Sequence, residues 1–429
     1  MKPNTLLLIV FILFTSCQTE NSSKKLVTQI KQDSTFALVR QKAIEIMKTG
    51  FNAGDGYSEV WIRDFNTFID LALDVHPKED IRENLLVFFR MQGDDGNIID
   101  GFVPRDIATA GYDYITTELE PRYAGHKNSV ETDQETSLIQ AVYKYVKKTG
   151  DTTFLNEPIG DFSVAQRMEK ALNYLMSERY NKKYGLIYGA TTADWGDVQP
   201  EGGWGVDIDK NTHFAIDIYD NAMLVIALKD FIDILPDRAA QWQPVLEKIS
   251  DNTKKYLWDK KQQKFIPHLY LNGSPFPPSL EENKIFYYGG TATAIEAGLL
   301  SKEQIKSSLE QMIAGVKAAG AASIGLTLYP PYPEGTFKNK GMGPYSYQNG
   351  GDWTWFGGRM IQQLIRYGFV REAYEQIQPM VERVKANNGF YEWYTVDNQP
   401  KGSGTFRGSA GVLYKAIEMF DDWANHQQK

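Results

Sequence analysis

Six short stretches dense in tryptophan, tyrosine, acid and glycine punctuate this chain, each just ahead of a segment with helical apolar spacing. They are Tyr57–Asp64, His126–Glu135, Ala193–His213, Phe286–Gly290, Tyr345–Trp355 and Phe390–Arg407. Apolar residues three and four apart mark the helices. These are Ser34–Thr49, Asp64–Val75, Asp80–Met91, Thr132–Lys148, Ser163–Met176, Thr212–Leu235, Ala239–Trp258, Gly290–Ala297, Ser301–Val316, Gly350–Tyr367, Arg371–Val384 and Gly408–Trp423. Every even-numbered segment follows one of the six stretches, and no odd-numbered one does. A ring of six helical hairpins produces that alternation, with one layer of helices turning its N-terminal loops to a common centre and the other closing the outside. The fold expected is all-α, a toroid of about twelve helices with short β-hairpin insertions.

Local signals agree. Thr132-x-x-Glu135, Ser163-x-x-Gln166 and Ser301-x-x-Gln304 read as capping boxes, and Gly50, Gly150 and Gly368 follow helix ends. Only Gly185–Tyr188 and Phe265–Leu271 read as strands. No Pro/Gly/Ser linker divides the chain after Lys31, so 31–425 is expected to form a single catalytic domain.

The first seventeen residues read as a processing signal: Lys2 is the positive end, Leu6–Phe14 the apolar run, and Cys17, the only cysteine, the exit. This segment resembles the bacterial lipoprotein signal, in which the terminal thiol is lipidated after cleavage. The resemblance implies a signal peptide over 1–17, a lipidated Cys17, a flexible tether over 18–30, and a place in the cell envelope. Gln18 after the cysteine favours the outer membrane. The lipid anchor is the only membrane contact expected. A net charge of −8 argues against a nucleic-acid partner, and the protein is expected to be a monomer.

Core packing does not need indole and carboxylate side by side in loops. A sugar pocket does, because aromatic faces cover the C–H faces of pyranose rings while acids and amides take the hydroxyls. Val60-Trp-Ile-Arg-Asp-Phe65, Ala193-Asp-Trp-Gly-Asp197, Tyr347-Gln-Asn-Gly-Gly-Asp-Trp353, Phe390-Tyr-Glu-Trp393 and Gly404-Thr-Phe-Arg-Gly408 occur in this order. They resemble the landmarks of the (α/α)6-barrel glycoside hydrolases, nearest to the neutral invertase, amylo-α-1,6-glucosidase and trehalase-like group. Asp352-Trp353 and Tyr391-Glu392-Trp393 depart from the neutral invertase pattern, which disfavours sucrose as substrate.

Glycoside hydrolysis needs one protonated carboxyl for the leaving oxygen and a second, ionised one to activate water or attack the anomeric carbon. Asp194 is the expected acid, since contact with the Trp195 indole would favour its neutral form. Asp197 is the alternative. Glu392 is the expected base, with Asp352 as its rival. By resemblance, Arg63 and Asp64 grip the terminal sugar. Trp61, Asp133, Trp195, Asp197, Gln348, Asn349, Asp352, Trp353, Tyr391, Trp393 and Arg407 complete the expected substrate-binding set, and Trp204 and Trp355 are further stacking candidates.

There is no nucleophile elbow, phosphate loop, dinucleotide fingerprint, His-Glu-x-x-His or cysteine pair. No cofactor and no metal are expected. The leading reading is an inverting, exo-acting hydrolase of α-linked, glucose-containing oligosaccharides. A phosphorylase or lyase on the same fold, or a silent glycan-binding lipoprotein, are the alternatives.

Overall fold

Two kinds of helix alternate along the chain, and their sequences differ as their positions do. Helix Ile218–Ile234 is buried without a break from Ile218 to Leu228, as a helix enclosed on all sides must be. Helix Val370–Asn387 buries only a stripe, with Val370, Ala373, Ile377, Met380, Val381 and Val384 at helical spacing. The first kind forms the inside of the molecule and the second the outside.

The computed structural model describes residues 23–108 and 113–427. Among them, after a helix over 23–32, come α1 (Ser34–Met47), α2 (Ile62–Val75), α3 (Lys78–Arg90) and α4 (Gln134–Thr149). Then follow α5 (Val164–Glu178), α6 (Ile218–Ile234), α7 (Ala239–Leu257) and α8 (Tyr288–Glu296). The last four are α9 (Lys302–Ala319), α10 (Thr354–Arg366), α11 (Val370–Asn387) and α12 (Arg407–His426). Inner helices pack in the order α2, α4, α6, α8, α10, α12 and back to α2, closing a ring. The outer helices lie against it, α1 on α12, α7 on α6 and α11 on α10. This is an (α/α)6 toroid, as expected, and all twelve expected helices are present, although the sixth starts at Ile218 and Phe214–Ile216, expected to be helical, is a strand.

Capping boxes form at Ser163 and Ser301, each with reciprocal bonds to the glutamine three residues on. The box expected at Thr132 does not form. Glu135 is instead buried in tertiary contacts, accepting from the Ile98 N–H at 2.8 Å and from Lys127 at 3.0 Å.

Residues 23–32 correct the expected tether over 18–30. They are helical, and Leu26, Val27 and Ile30 bury an apolar face in the main core. Cys17 and the leader lie outside the described residues. No helix among the described residues is long and apolar enough to cross a membrane.

The strands are short ribbons around the ring. Beyond the expected pieces, Val60–Trp61, Gly101–Pro104 and Tyr123–His126 form an antiparallel sheet in which Trp61 and His126 flank Gly101. That sheet sets the wall of the central cavity.

Candidate active site

The loops that lead into the inner helices surround a cavity of about 400 Å³, within the range of small-molecule sites. Five of the six aromatic and acidic stretches line it. The fourth, Phe286–Gly290, does not; it supports another loop from behind.

Arg63, in the first turn of α2, organises the floor. Its Nε donates to Asp133 at 2.7 Å, one terminal nitrogen to the Trp195 carbonyl at 3.1 Å, and the other pairs with Glu131 at 2.8 Å. Asp64, Asp100 and Glu131 also line the cavity. Burial pushes all three carboxyls upward, Asp100 to about 7, with Arg63 opposing the shift in each case. His126, on the wall, is pushed down by burial against the pull of Asp207 and Asp113. Asp64 Oδ1 is buried without a hydrogen-bond donor. An acceptor so placed, lining a cavity, is open to a donor from a bound molecule.

Two more carboxyls face the same cavity from distant loops. Glu392 is 4% exposed; its Oε1 accepts from the Tyr57 hydroxyl at 2.9 Å and its Oε2 from the Ser403 N–H at 3.2 Å. Burial, with the Asp197 carboxyl adding to it, pushes its own carboxyl up, and those two donors offset the rise only in part. Gly402 must be glycine, because it has φ +69° and any Cβ would stand 2.3 Å from Glu392 Oε2. Asp197 differs: its Oδ1 is buried with no partner, while its backbone N–H donates to Gln348 Oε1 at 3.2 Å. Gln348 therefore holds the Asp197 loop against the start of α10.

Asp194 does not line the cavity. It has φ +57°, and its two carboxylate oxygens accept from the Gly289 and Gly290 N–H groups at 2.7 Å each, at the start of α8. Burial pushes its carboxyl well up, and these backbone donors offset the rise in part. A carboxylate on a helix N-terminus is satisfied by unpaired backbone donors and the helix dipole. A Cβ on Gly290 would meet Asp194 Oδ1 at 2.8 Å, so this glycine makes room for the clamp. The left-handed turn at Asp194 carries the chain around so that Asp197, and not Asp194, reaches the cavity.

Asp352 is likewise structural in its contacts. It is fully buried, pairs with both terminal nitrogens of Arg383 at 3.0 and 2.6 Å, and accepts from the Ser323 hydroxyl at 2.6 Å. Asn349 spans Tyr332 and Met342, and Arg407 binds Asn52 and Thr49, so neither reaches the cavity. Asp133 stands behind the floor, accepting from Arg63 and from the Tyr219 hydroxyl at 2.6 Å. Tyr391 and Trp393 also fall outside the lining, although Trp393 packs near Tyr347.

Trp61, Arg63, Asp64, Trp195, Asp197, Gln348 and Trp353 do line it. Trp195, Trp353 and Trp355 offer little ring surface, because they pack on one another. Trp195 stacks on Phe356 at 4.3 Å and meets the edge of Trp353 at 4.9 Å. Indole faces packed against each other make a rigid floor. Trp204, 61% exposed, is the lining tryptophan whose surface is open.

Sequence reasoning passed over Tyr57, Asp100, Glu131 and Tyr347. Tyr57, Glu131 and Tyr347 stand inside the aromatic and acidic stretches. Asp100 ends the apolar run Ile98-Ile99, and an acid closing such a run was the available signal. Among the described residues, no group of three or more His, Cys, Asp and Glu side chains is arranged to hold a metal ion.

The family description "Glycosyl hydrolase 94 superfamily, catalytic domain" matches residues 26–383, a segment that ends before Glu392. An N,N'-diacetylchitobiose phosphorylase of Vibrio proteolyticus is 24% identical over 205 residues, which make up 46% of this chain and only 24% of that protein's length. Among solved structures, the GH63 mannosylglycerate hydrolase of Thermus thermophilus in complex with glucose superposes with TM-score 0.61 at 16% identity, over 88% of this chain and 99% of that one. The rhamnosidase of Klebsiella oxytoca with rhamnose bound gives 0.60 at 13% identity, over 90% of this chain and 64% of that one. These two share the toroid. The motifs implied a carbohydrate-active family, and the match is to one: the chain belongs to the glycosyl hydrolase 94 superfamily.

Proposed function

We propose that this protein is an inverting, exo-acting glycoside hydrolase with Asp197 as general acid and Glu392 as general base. The observation that carries this reading is the convergence of these two carboxyls on one cavity in opposite hydrogen-bonding circumstances. Glu392 accepts from two donors, which suits an ionised base. Asp197 Oδ1 has no donor within the protein, which leaves it open to meet a leaving oxygen in the cavity. In the inverting mechanism Glu392 removes a proton from water as the oxygen attacks the anomeric carbon, while Asp197 protonates the departing oxygen. Such a pair stands roughly 6.5–9.5 Å apart to admit the water.

A cavity of about 400 Å³ closed by buried acids suits a chain end, hence exo action. The acids would accept from the hydroxyls of the terminal sugar. The α-linkage and the glucosyl identity are part of the proposal and rest on the motif resemblance.

The name of the Vibrio relative favours a second reading, phosphorolysis. Phosphate is an anion and is held most strongly where cationic side chains are free to bind it. Here the lining holds five carboxyls; its one guanidinium, Arg63, is already committed to Glu131, Asp133 and a carbonyl, and burial shifts His126 toward its neutral form. That balance supports hydrolysis. Proton NMR of the first product from α-linked oligosaccharides, with and without phosphate, tests it. Free sugar of inverted configuration at a phosphate-independent rate is expected; a sugar 1-phosphate, or turnover that requires phosphate, would contradict it.

A further inference from the structure

We propose that Trp204 forms the subsite for the leaving group, a second pyranose whose apolar C–H face stacks on its indole. The inference rests on the hydrolase reading and adds to it where the leaving sugar is held. Trp204 is 61% exposed and lines the cavity together with Asn339 and Gly341. Its indole is the most exposed large hydrophobic side chain among the described residues and sits at the mouth of a polar cavity, where a covering ligand removes that surface from water.

Its place in the chain fixes which sugar it meets. Trp204 belongs to the loop that carries Asp197, and Gln199 N–H donates to the Gly205 carbonyl at 2.9 Å to close that loop. The general acid hands its proton to the leaving oxygen, so the leaving group passes along this loop. The terminal sugar, by contrast, is taken by the acids on the floor.

The platform is built rather than loose. Asn339 Nδ2 donates to the Trp204 carbonyl at 3.1 Å, and Lys338 N–H donates to the Pro200 carbonyl at 3.0 Å. These bonds join the two rim loops. Gly202 and Gly205, with φ +77° and +81°, bracket Trp204 and set the turn that lifts its ring to the rim.

The test compares disaccharides with the matching glycosyl fluorides, whose leaving group is too small to reach the rim. Trp204→Ala should lower kcat/KM for a disaccharide about tenfold, the scale of one lost aromatic stack. It should leave the fluoride nearly unchanged, and Trp204→Phe should restore most of the loss. Equal losses on both substrates, or none on the disaccharide, would overturn the inference. If wild-type protein hydrolyses neither series, the hydrolase reading fails and a footprint decides the subsite alone. α- and β-linked glucose disaccharides are added to the protein during N-bromosuccinimide oxidation. Slower oxidation of Trp204 with a disaccharide than with free glucose supports the subsite; equal rates with every disaccharide overturn it.

Discussion

Replacing Asp194 separates a clamp from a catalyst. Its carboxylate is 2% exposed and takes two charge-assisted hydrogen bonds of 2.7 Å from Gly289 and Gly290. Bonds of this type contribute about 1.5–3 kcal/mol each. Asp194→Ala removes both, leaves two buried N–H groups unpaired, and places alanine at φ +57°, where it is strained. The two bonds alone come to about 3–6 kcal/mol, and the strained alanine adds about 1–2 kcal/mol. Asp194→Asn is the milder partner: asparagine tolerates the left-handed conformation and keeps one acceptor, so roughly half of the loss is expected. Urea unfolding monitored by tryptophan fluorescence should show the two midpoints falling in that order. Turnover per folded molecule should fall by less than about tenfold, against the roughly 10²–10⁴-fold typical of a missing general acid. An Asp194→Asn protein with wild-type midpoint and a kcat lower by about a thousandfold would refute the assignment of Asp194 to the scaffold.

Arg383→Met strands the fully buried Asp352 without its counterion and should cost about 3–5 kcal/mol in urea unfolding, with the folded fraction still active. An unchanged midpoint with lost turnover would return Asp352 to the site. Tyr57→Phe removes a donor that opposes the upward push of burial on the Glu392 carboxyl, so the Glu392 pKa rises further. A base must be ionised to act; the acidic limb of the kcat/KM profile therefore moves to higher pH, and a limb that stays or moves down would contradict the role of Glu392.

Helices were legible because each carries apolar residues at its own period, and the ring because aromatic and acidic loops precede every second one. The sheet joining Val60–Trp61, Gly101–Pro104 and Tyr123–His126 was not legible, since strands of two to four residues are too short to show alternation. Within Asp194-Trp195-Gly196-Asp197 the motif announced a catalytic loop but not which acid enters the cavity. That choice depends on φ at Asp194 and on the arrival of α8, about ninety residues later, with two free N–H groups. Asp352 was ambiguous for the same reason: its partner Arg383 comes from α11, and nothing local to Asp352 announces the pairing. Which tryptophans keep an open ring face was not legible, because neighbours such as Phe356 cover faces that a sequence leaves apparently free.

The pairing of Asp197 with Glu392 is tested most directly by measuring Asp197→Asn and Glu392→Gln on a disaccharide and on the corresponding glycosyl fluoride, which departs without protonation. Asp197→Asn should lose about 10²–10⁴-fold on the disaccharide and little on the fluoride, while Glu392→Gln should be crippled on both. Full disaccharide activity in Asp197→Asn, or wild-type fluoride hydrolysis in Glu392→Gln, would contradict the account.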